Sequence, residues 1–271
     1  MTAPLRFPIQ TLLVPCLLGL LAGPVPAEGA NGASGAEVEV EALLRRARAA
    51  LESDLAAWAE LSFRRRVVRE RLDGDGEVSW RTEYLFRVRP APDPPGGFDE
   101  TLLSIDGARP SPREIEEHRR LGRFEKHYRA AVASELENPF GEDLPLAPLL
   151  FDQEHRRAGR ETVDGIPCHR LLFDARGEVP EASSAEELKR ATRGSLCLSV
   201  KGAHLVEAEV ESVRPVRQGP IRLNRISIRF EGRPVRSAWV PRVFQVESDA
   251  RLGPVHLRKR NRYEYTDYRR P

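Results

Sequence analysis

The apolar positions in the first third of the chain follow two different periods. Between residues 37 and 61 they recur at steps of three and four, which predicts one amphipathic helix. From there the step becomes two, and along 78–88 apolar or threonine side chains largely alternate with charged or serine ones. Because alternate residues of a strand point to opposite faces, the segments 63–72 and 78–88 predict a hairpin with one buried face.

The rest of the chain predicts an α+β fold. A helix is expected over 111–135, where Ser111 precedes a first-turn proline and Glu114. Shorter helices are expected within 138–151 and 178–192. The further predicted strands are 98–105, 155–163, 166–174, 194–200, 204–213, 221–230, 238–248 and 255–268. About ten strands with short connections predict one large antiparallel sheet with two main helices packed on one face.

Two of the later strands indicate which side of the sheet is apolar. Along 204–213 one face holds Val206, Ala208 and Val210, and the other holds Glu207, Glu209 and Glu211. Along 221–230 one face holds Ile226, Ile228 and Phe230, and the other holds Arg225 and Arg229. This pattern predicts an apolar face and a solvated face, and on the solvated face an acidic strand lies beside a basic strand.

Residues 1–27 have the features of a secretory signal. A positive residue precedes an apolar run over 9–22, and Ala27 supplies a small residue for cleavage. The run is shorter than the roughly 20 residues of a membrane span, and no later segment is long and apolar enough to be one. We therefore expect a cleaved signal peptide, a flexible leader over 28–36, and a single soluble periplasmic domain over 37–271.

Two cysteines, Cys168 and Cys197, remain after this cleavage. Cys197 alternates with core-facing leucines, and Cys168 points away from Leu171, so both are expected on the solvated face. An even pair in an oxidising compartment is a disulfide candidate. Two free thiols are the alternative, and the sequence leaves both open.

The composition narrows the class of protein. The chain has 43 Lys+Arg against 41 Asp+Glu, a formal net charge of +2, and 40% of its residues are hydrophobic. Such a chain buries a core, and it lacks the basic excess of a general polyanion binder, so no nucleic-acid partner is expected. Two basic stretches, within 64–71 and 258–262, leave open a peripheral contact with anionic lipid head groups or an envelope polymer. The simpler interpretation is that these charges prevent an exposed strand edge from pairing with another chain.

No catalytic motif is recognisable in the sequence. It contains no G-x-S-x-G nucleophile elbow, no phosphate-binding glycine loop, no dinucleotide fingerprint and no H-E-x-x-H zinc motif. His118 and His127 are nine residues apart, too far along one helix to share a metal. The alternating acids of 73–77 suggest a calcium loop, but Val78 occupies its glycine position. The expectation is a protein that is not an enzyme and uses no cofactor and no metal.

Several short motifs follow one another in a particular order. After the signal and the long helix come Tyr84-Leu85-Phe86, Val163-Asp164-Gly165-Ile166-Pro167, Gly194-Ser195-Leu196, Trp239-Val240-Pro241 and a tyrosine-rich tail over 263–268. Over most of residues 37–268 this order resembles the LolA/LolB-like superfamily of exported bacterial lipoprotein localisation factors, which includes the RseB-like stress-sensor fold. The resemblance implies a large curved antiparallel sheet, an unclosed half-barrel wrapped around two or three helices, whose apolar concave face receives acyl chains.

The hypothesis that follows is a periplasmic, non-enzymatic carrier or sensor that holds a lipid or an acylated protein between sheet and helices. The candidate lining residues are Trp80, Tyr84, Phe86, Leu171, Phe173, Leu198, Val206, Val210, Ile226, Ile228 and Phe230. An ordinary packed core would contain the same residue types. The alternative is an envelope interaction or assembly protein with a filled core, which binds a protein or polyanionic partner through its charged outer strands.

Overall fold

A computed structural model gives the fold of the chain. The residues that it describes are 35–91, 98–118, 146–178, 184–218, 221–236 and 238–270. They form one sheet of 11 strands, accompanied by four helical segments. No helix in this part of the chain is long and apolar enough to cross a membrane.

The helices and strands alternate irregularly along the chain. The helices are α1 (Gly35–Ala59), α2 (described over residues 112–118), α3 (Leu146–Phe151) and α4 (Ser184–Ala191). The strands are β1 (Ser62–Leu72), β2 (Val78–Pro90), β3 (Phe98–Ile105), β4 (His155–Val163), β5 (Ile166–Phe173), β6 (Thr192–Ser199), β7 (Leu205–Ser212), β8 (Val216–Gln218), β9 (Ile221–Val235), β10 (Ala238–Leu252) and β11 (Val255–Arg269).

The sheet is antiparallel and unclosed, and it curves around the helices. Its strand order is β3-β2-β1-β11-β10-β9-β7-β6-β5-β4, with β8 paired to β9. Several neighbours in this order are joined by short turns, but α4 lies between β5 and β6 along the chain, β8 lies between β7 and β9, and the last strand, β11, pairs with the first, β1. In that pair Val67 lies opposite Tyr263, nearly 200 residues away in the sequence. The sheet is therefore two hairpin series joined along one long-range pair of strands.

Local chemistry sets the turns of these series. Between β4 and β5, Asp164 and Gly165 have φ of 50° and 79°, the two positive values of a two-residue hairpin turn. Between β1 and β2, the Asp73 carboxylate accepts backbone N–H bonds from Asp75 at 3.0 Å and Glu77 at 2.9 Å. This carboxylate closes the turn, which agrees with a turn rather than a calcium loop.

Most predicted elements are confirmed, with some changes of length. The helix expected over 111–135 is confirmed at its start, where the backbone N–H and hydroxyl of Ser111 both donate to Glu114 at 2.7 Å. Its remainder lies outside the described residues. Strand β8 was not predicted, and β9 and β10 run for 15 residues each. The extra residues of β9 and β10 pair with each other, so pairing extends these strands beyond the apolar pattern.

Candidate functional site

One face of the sheet, here called the inner face, packs against α1. Its apolar side chains come from ten strands and form a continuous buried cluster with Val40, Ala47 and Trp58 of α1. The opposite, outer face carries most of the charged residues. The predicted separation into an apolar and a charged face is therefore confirmed for most of the sheet.

An aromatic group closes the inner face at the C-terminal end of α1. The ring of Trp58 lies 5.5 Å from Phe63, 5.3 Å from Phe98 and 5.9 Å from Tyr265, measured between centroids. The buried hydroxyl of Tyr268 donates to a backbone carbonyl at 2.6 Å. Burial raises the pKa of Tyr268, so its hydroxyl keeps the proton that it donates. These contacts fix the end of the helix to the sheet.

A polar contact strengthens the same attachment. The Oδ2 atom of Asp54 lies 2.8 Å from Nδ1 of His204, in the turn between β6 and β7. The His204 ring stacks on Trp239 with 4.9 Å between centroids and 7° between planes. Burial raises the pKa of Asp54, and the bond to His204 partly offsets this. Asp54 interrupts the apolar stripe of α1, the one sequence signal that could have revealed this contact.

The remainder of α1 is attached by more exposed groups. Arg48 donates to Asp152 at 2.5 Å, and Arg157 donates to Glu39 at 2.6 Å. Exposed ion pairs of this kind contribute about 0–1 kcal/mol each. The helix leucines against the sheet are only partly buried: Leu43, Leu44, Leu51 and Leu55. The helix is thus held most firmly at its C-terminal end.

Two of the cavities lined by the described residues are small. A cavity of about 50 Å³ lies beside Leu61, Val235 and Tyr268, and another of about 60 Å³ lies on the outer face beside Arg229 and Arg242. Each has room for a few water molecules. The inner face is covered by α1 and also by α3 and α4, so an acyl chain would have to displace part of this cover to reach it.

The structure places ten of the eleven predicted lining residues in three environments. Eight of them are buried together in the inner-face cluster: Phe86, Leu171, Phe173, Leu198, Val210, Ile226, Ile228 and Phe230. Tyr84 is partly buried at the margin of this cluster. Trp80, further along β2, is 51% exposed and belongs to no buried cluster. Contact of any of them with a ligand stays a prediction.

The prediction that Val206 shares a face with Val210 is wrong. Val206 is buried on the outer face, in a small cluster with Cys168 and Cys197. The pairing of β6 with β7 shifts register beside it, so Leu205 occupies the inner position instead. A bulge of this kind turns neighbouring residues to opposite faces, and the alternation of β7 alone does not reveal it.

The two cysteines form a disulfide within this outer cluster. Their Cα atoms are 5.6 Å apart, and both residues are fully buried. The prediction of a shared face is confirmed, but the expected solvated surroundings are wrong, because Val163, Ile166 and Trp239 pack around the pair. The outer face therefore has a small apolar core of its own.

Elsewhere the outer face is a network of ion pairs. Arg66 donates to Glu83 at 2.6 Å and to Glu264 at 3.0 Å, which holds the pKa of Glu83 below its ordinary value. Across the acidic and basic strands, Glu209 lies opposite Arg229 in register, which confirms their predicted adjacency. Most basic residues of the two Arg-rich stretches also have carboxylate partners within 4 Å: Arg64, Arg65, Arg66, Arg258, Arg260 and Arg262.

Among the described residues, one cluster combines three groups of metal-ligating type. It consists of Glu161 and the two half-cystines, with Sγ of Cys197 3.3 Å from Oε1 of Glu161. Disulfide sulfurs are not thiolates, so this cluster offers a metal one carboxylate unless the bond is reduced. Arg170 pairs with that carboxylate and with Glu207. The arrangement serves the ion-pair network of the outer face.

Comparisons with known proteins give structural neighbours only. No family model matches the chain, and no significant match is found among curated proteins. The fold is similar to a LolA superfamily protein from Nitrosomonas europaea, with 12% identity, a TM-score of 0.31, and coverage of 85% of this chain and 93% of that one. It is also similar to a DUF1329 family protein from Desulfovibrio piger, with 13% identity, a TM-score of 0.34, and coverage of 85% and 92%.

A third similar structure is the lipoprotein LppX of Mycobacterium tuberculosis, with 12% identity, a TM-score of 0.29, and coverage of 85% of this chain and 96% of that one. The neighbours thus include the superfamily that the sequence resembles. TM-scores this low carry no argument about ligand, partner or functional residues.

Proposed function

We propose that the protein is a non-enzymatic carrier or sensor, exported to the periplasm, that binds acyl chains of a lipid or an acylated protein between the inner face and α1. The observation that carries this proposal is the continuous apolar surface drawn from ten strands, over which the α1 leucines stay partly exposed. A long apolar surface between a sheet and its covering helices suits an extended hydrocarbon chain.

The ligand takes the place of α1 on part of this surface. Because the aromatic group and Asp54 hold the C-terminal end of the helix, its N-terminal part is the part that swings outward. That movement exposes the buried Val40 and Ala47 and also gives up exposed ion pairs of about 0–1 kcal/mol each, such as Arg157 with Glu39. Each CH₂ group that the ligand buries contributes about 0.8 kcal/mol to the free energy of binding.

The outer-strand alternative has less support. Its binding groups would be the charged side chains of the outer face, but these largely neutralise one another in ion pairs such as Arg66 with Glu83. A partner would have to displace those pairs before it gained new ones.

The three tryptophans provide a test, because each reports on a different surface. Trp58, on α1, is buried against the inner face, Trp239 is partly buried against the outer cluster, and Trp80 is exposed. In a Trp80→Phe background, a monomeric brominated fatty acid should quench Trp58 emission. Additional replacement of Trp58 by Phe should abolish most of the quenching, because Trp239 stays out of reach of the ligand.

If quenching persists after Trp58 is replaced, the inner-face site is wrong. The site is also wrong if the brominated fatty acid causes no quenching at any concentration. Lipid extraction and mass spectrometry of the protein purified from its native envelope then identify the natural ligand. N-terminal sequencing of the same sample checks the expected cleavage after Ala27.

A further inference from the structure

Three hairpins of the sheet end on the same side. Strand β11 begins where β1 ends, because Arg71 pairs with Lys259, and β9 begins where β10 ends, because Leu252 pairs with Ile221. The paired ends of β1 and β2, of β8 and β9, and of β10 and β11 therefore lie along one end of the sheet. We call this end the tip.

The outer face of the tip carries three arginines in direct register. Arg217 of β8 lies opposite Arg222 of β9, which lies opposite Arg251 of β10. All three are exposed, and none has a carboxylate within 4 Å among the described residues. Like charges directly opposite each other destabilise a sheet, so the row is unfavourable unless an anion neutralises it. Elsewhere on this face, like charges that lie opposite each other have a compensating partner: Glu207 and Glu231 both pair with Arg229, and Arg64, opposite Arg87, pairs with Asp267.

The inner face of the tip carries a second row. Arg71 of β1 lies between Trp80 of β2 and Lys259 of β11, and both cations are exposed and without a described ion pair. Trp80 is 51% exposed, and two further apolar side chains at this end, Val78 and Val255, are 46% and 50% exposed. Exposed apolar groups thus stand beside the unpaired cations.

The charge of the tip is uneven. The β1–β2 turn contributes Asp73, Asp75 and Glu77, although Asp73 is occupied by backbone bonds of the turn. The sequences 216–222 and 250–257, which form the other two turns, contain no acidic residue. Positive charge at the tip is therefore concentrated where β8 ends, β9 begins and β10 ends, although Asp249 pairs with His256 nearby, and Trp80 lies on β2 at the same end of the sheet.

We propose that the tip docks on an anionic lipid bilayer, with the arginine row against phosphate head groups and with Trp80 and Val255 entering the interface. A bilayer is favoured over a soluble polyanion because it alone offers both negative charge and an apolar layer. Tryptophan side chains are enriched at that boundary, and each Arg or Lys near an anionic surface strengthens binding about fivefold. This inference does not depend on acyl-chain binding at the inner face.

Vesicle co-sedimentation tests the proposal. The full protein should bind vesicles of phosphatidylcholine with phosphatidylglycerol, bind pure phosphatidylcholine much less, and dissociate as salt is raised. Replacing Arg217, Arg222 and Arg251 together by Gln should weaken binding at least about tenfold. The matched control replaces Arg193, Arg229 and Arg262 by Gln, which removes the same charge from paired sites of the outer face. It should change binding less than about threefold, with folding of both variants checked by thermal melting.

Brominated lipids in the same vesicles distinguish a bilayer from a polyanion. They should quench the emission of the wild type, and Trp80→Phe should remove most of that effect. Equal losses in the two triple variants would overturn the proposal. Binding to heparin of the same strength as to anionic vesicles, without quenching, would instead identify a polyanion site. Because the fatty-acid assay reports on Trp58, failure of either proposal leaves the other measurable.

Discussion

Removing the disulfide should cost a large part of the stability of the protein. Cys168 and Cys197 are 29 residues apart in the sequence, and the bond closes the loop that contains α4. A loop of this length loses roughly 12 cal/mol/K of chain entropy in the unfolded state when it is cross-linked, or about 3–4 kcal/mol at 25 °C. Domains are typically stable by about 5–15 kcal/mol, so the predicted loss is substantial.

Urea unfolding of the oxidised and the reduced protein measures this difference. Cys16 is replaced by Ala in both samples, so that the bond between Cys168 and Cys197 is the one being compared. With a slope of about 3 kcal/mol/M, reduction should lower the midpoint by about 1 M. A Cys168→Ala, Cys197→Ala variant should lose at least as much, because both sulfurs are fully buried. A shift below about 0.3 M would refute the loop-entropy reasoning.

Three further predictions test the packing and charge of the sheet. Gly194→Ala should destabilise the protein by about 3 kcal/mol, because the added methyl would meet a backbone oxygen at 2.1 Å and Phe173 at 2.7 Å. An unchanged melting temperature would contradict this clash. Burial raises the pKa of Asp54, so the folded state holds that proton more tightly than the unfolded chain does. The free energy of unfolding of the wild type should therefore rise relative to that of Asp54→Asn as the pH falls through this raised pKa toward 3.8. Urea unfolding at several pH values measures this difference. A relative loss of wild-type stability at low pH would refute the predicted direction of the pKa shift. Arg66→Gln should lower the free energy of unfolding by about 1 kcal/mol at low salt and by less at high salt, because its two ion pairs are partly exposed. A loss of stability that does not depend on salt would exclude an electrostatic origin.

The fold was predictable wherever the signal is local. The three-and-four spacing of leucines identified α1, and the Asp164-Gly165 turn between two candidate strands identified the β4–β5 hairpin. Strand β8 was not predicted, because three residues are too few to display a period. The pairing of β1 with β11 left no local signal, since it depends on contacts between the two ends of the chain.

The candidate site was predictable in outline, and the exceptions have physical causes. Phe86 and Ile228 are buried on the expected face, because alternation decides facing wherever register is regular. Val206 faces the other way, because a shift in the pairing of β6 with β7 moves it. Trp80 obeys the alternation but lies beyond the buried cluster, so its position along the strand decides its exposure.

The sequence by itself determined a folded α+β chain with one apolar and one charged sheet face and two cysteines on the same side. These features follow from side-chain type and period, which belong to each segment alone. Only the tertiary structure decided which charges are neutralised. Arg66 and Arg222 are alike in the sequence, yet strand pairing places Arg66 between two carboxylates and Arg222 between two arginines. Because a charge is stabilised or destabilised by its neighbours in space, the order of strands in the sheet produced the tip and its unpaired arginines.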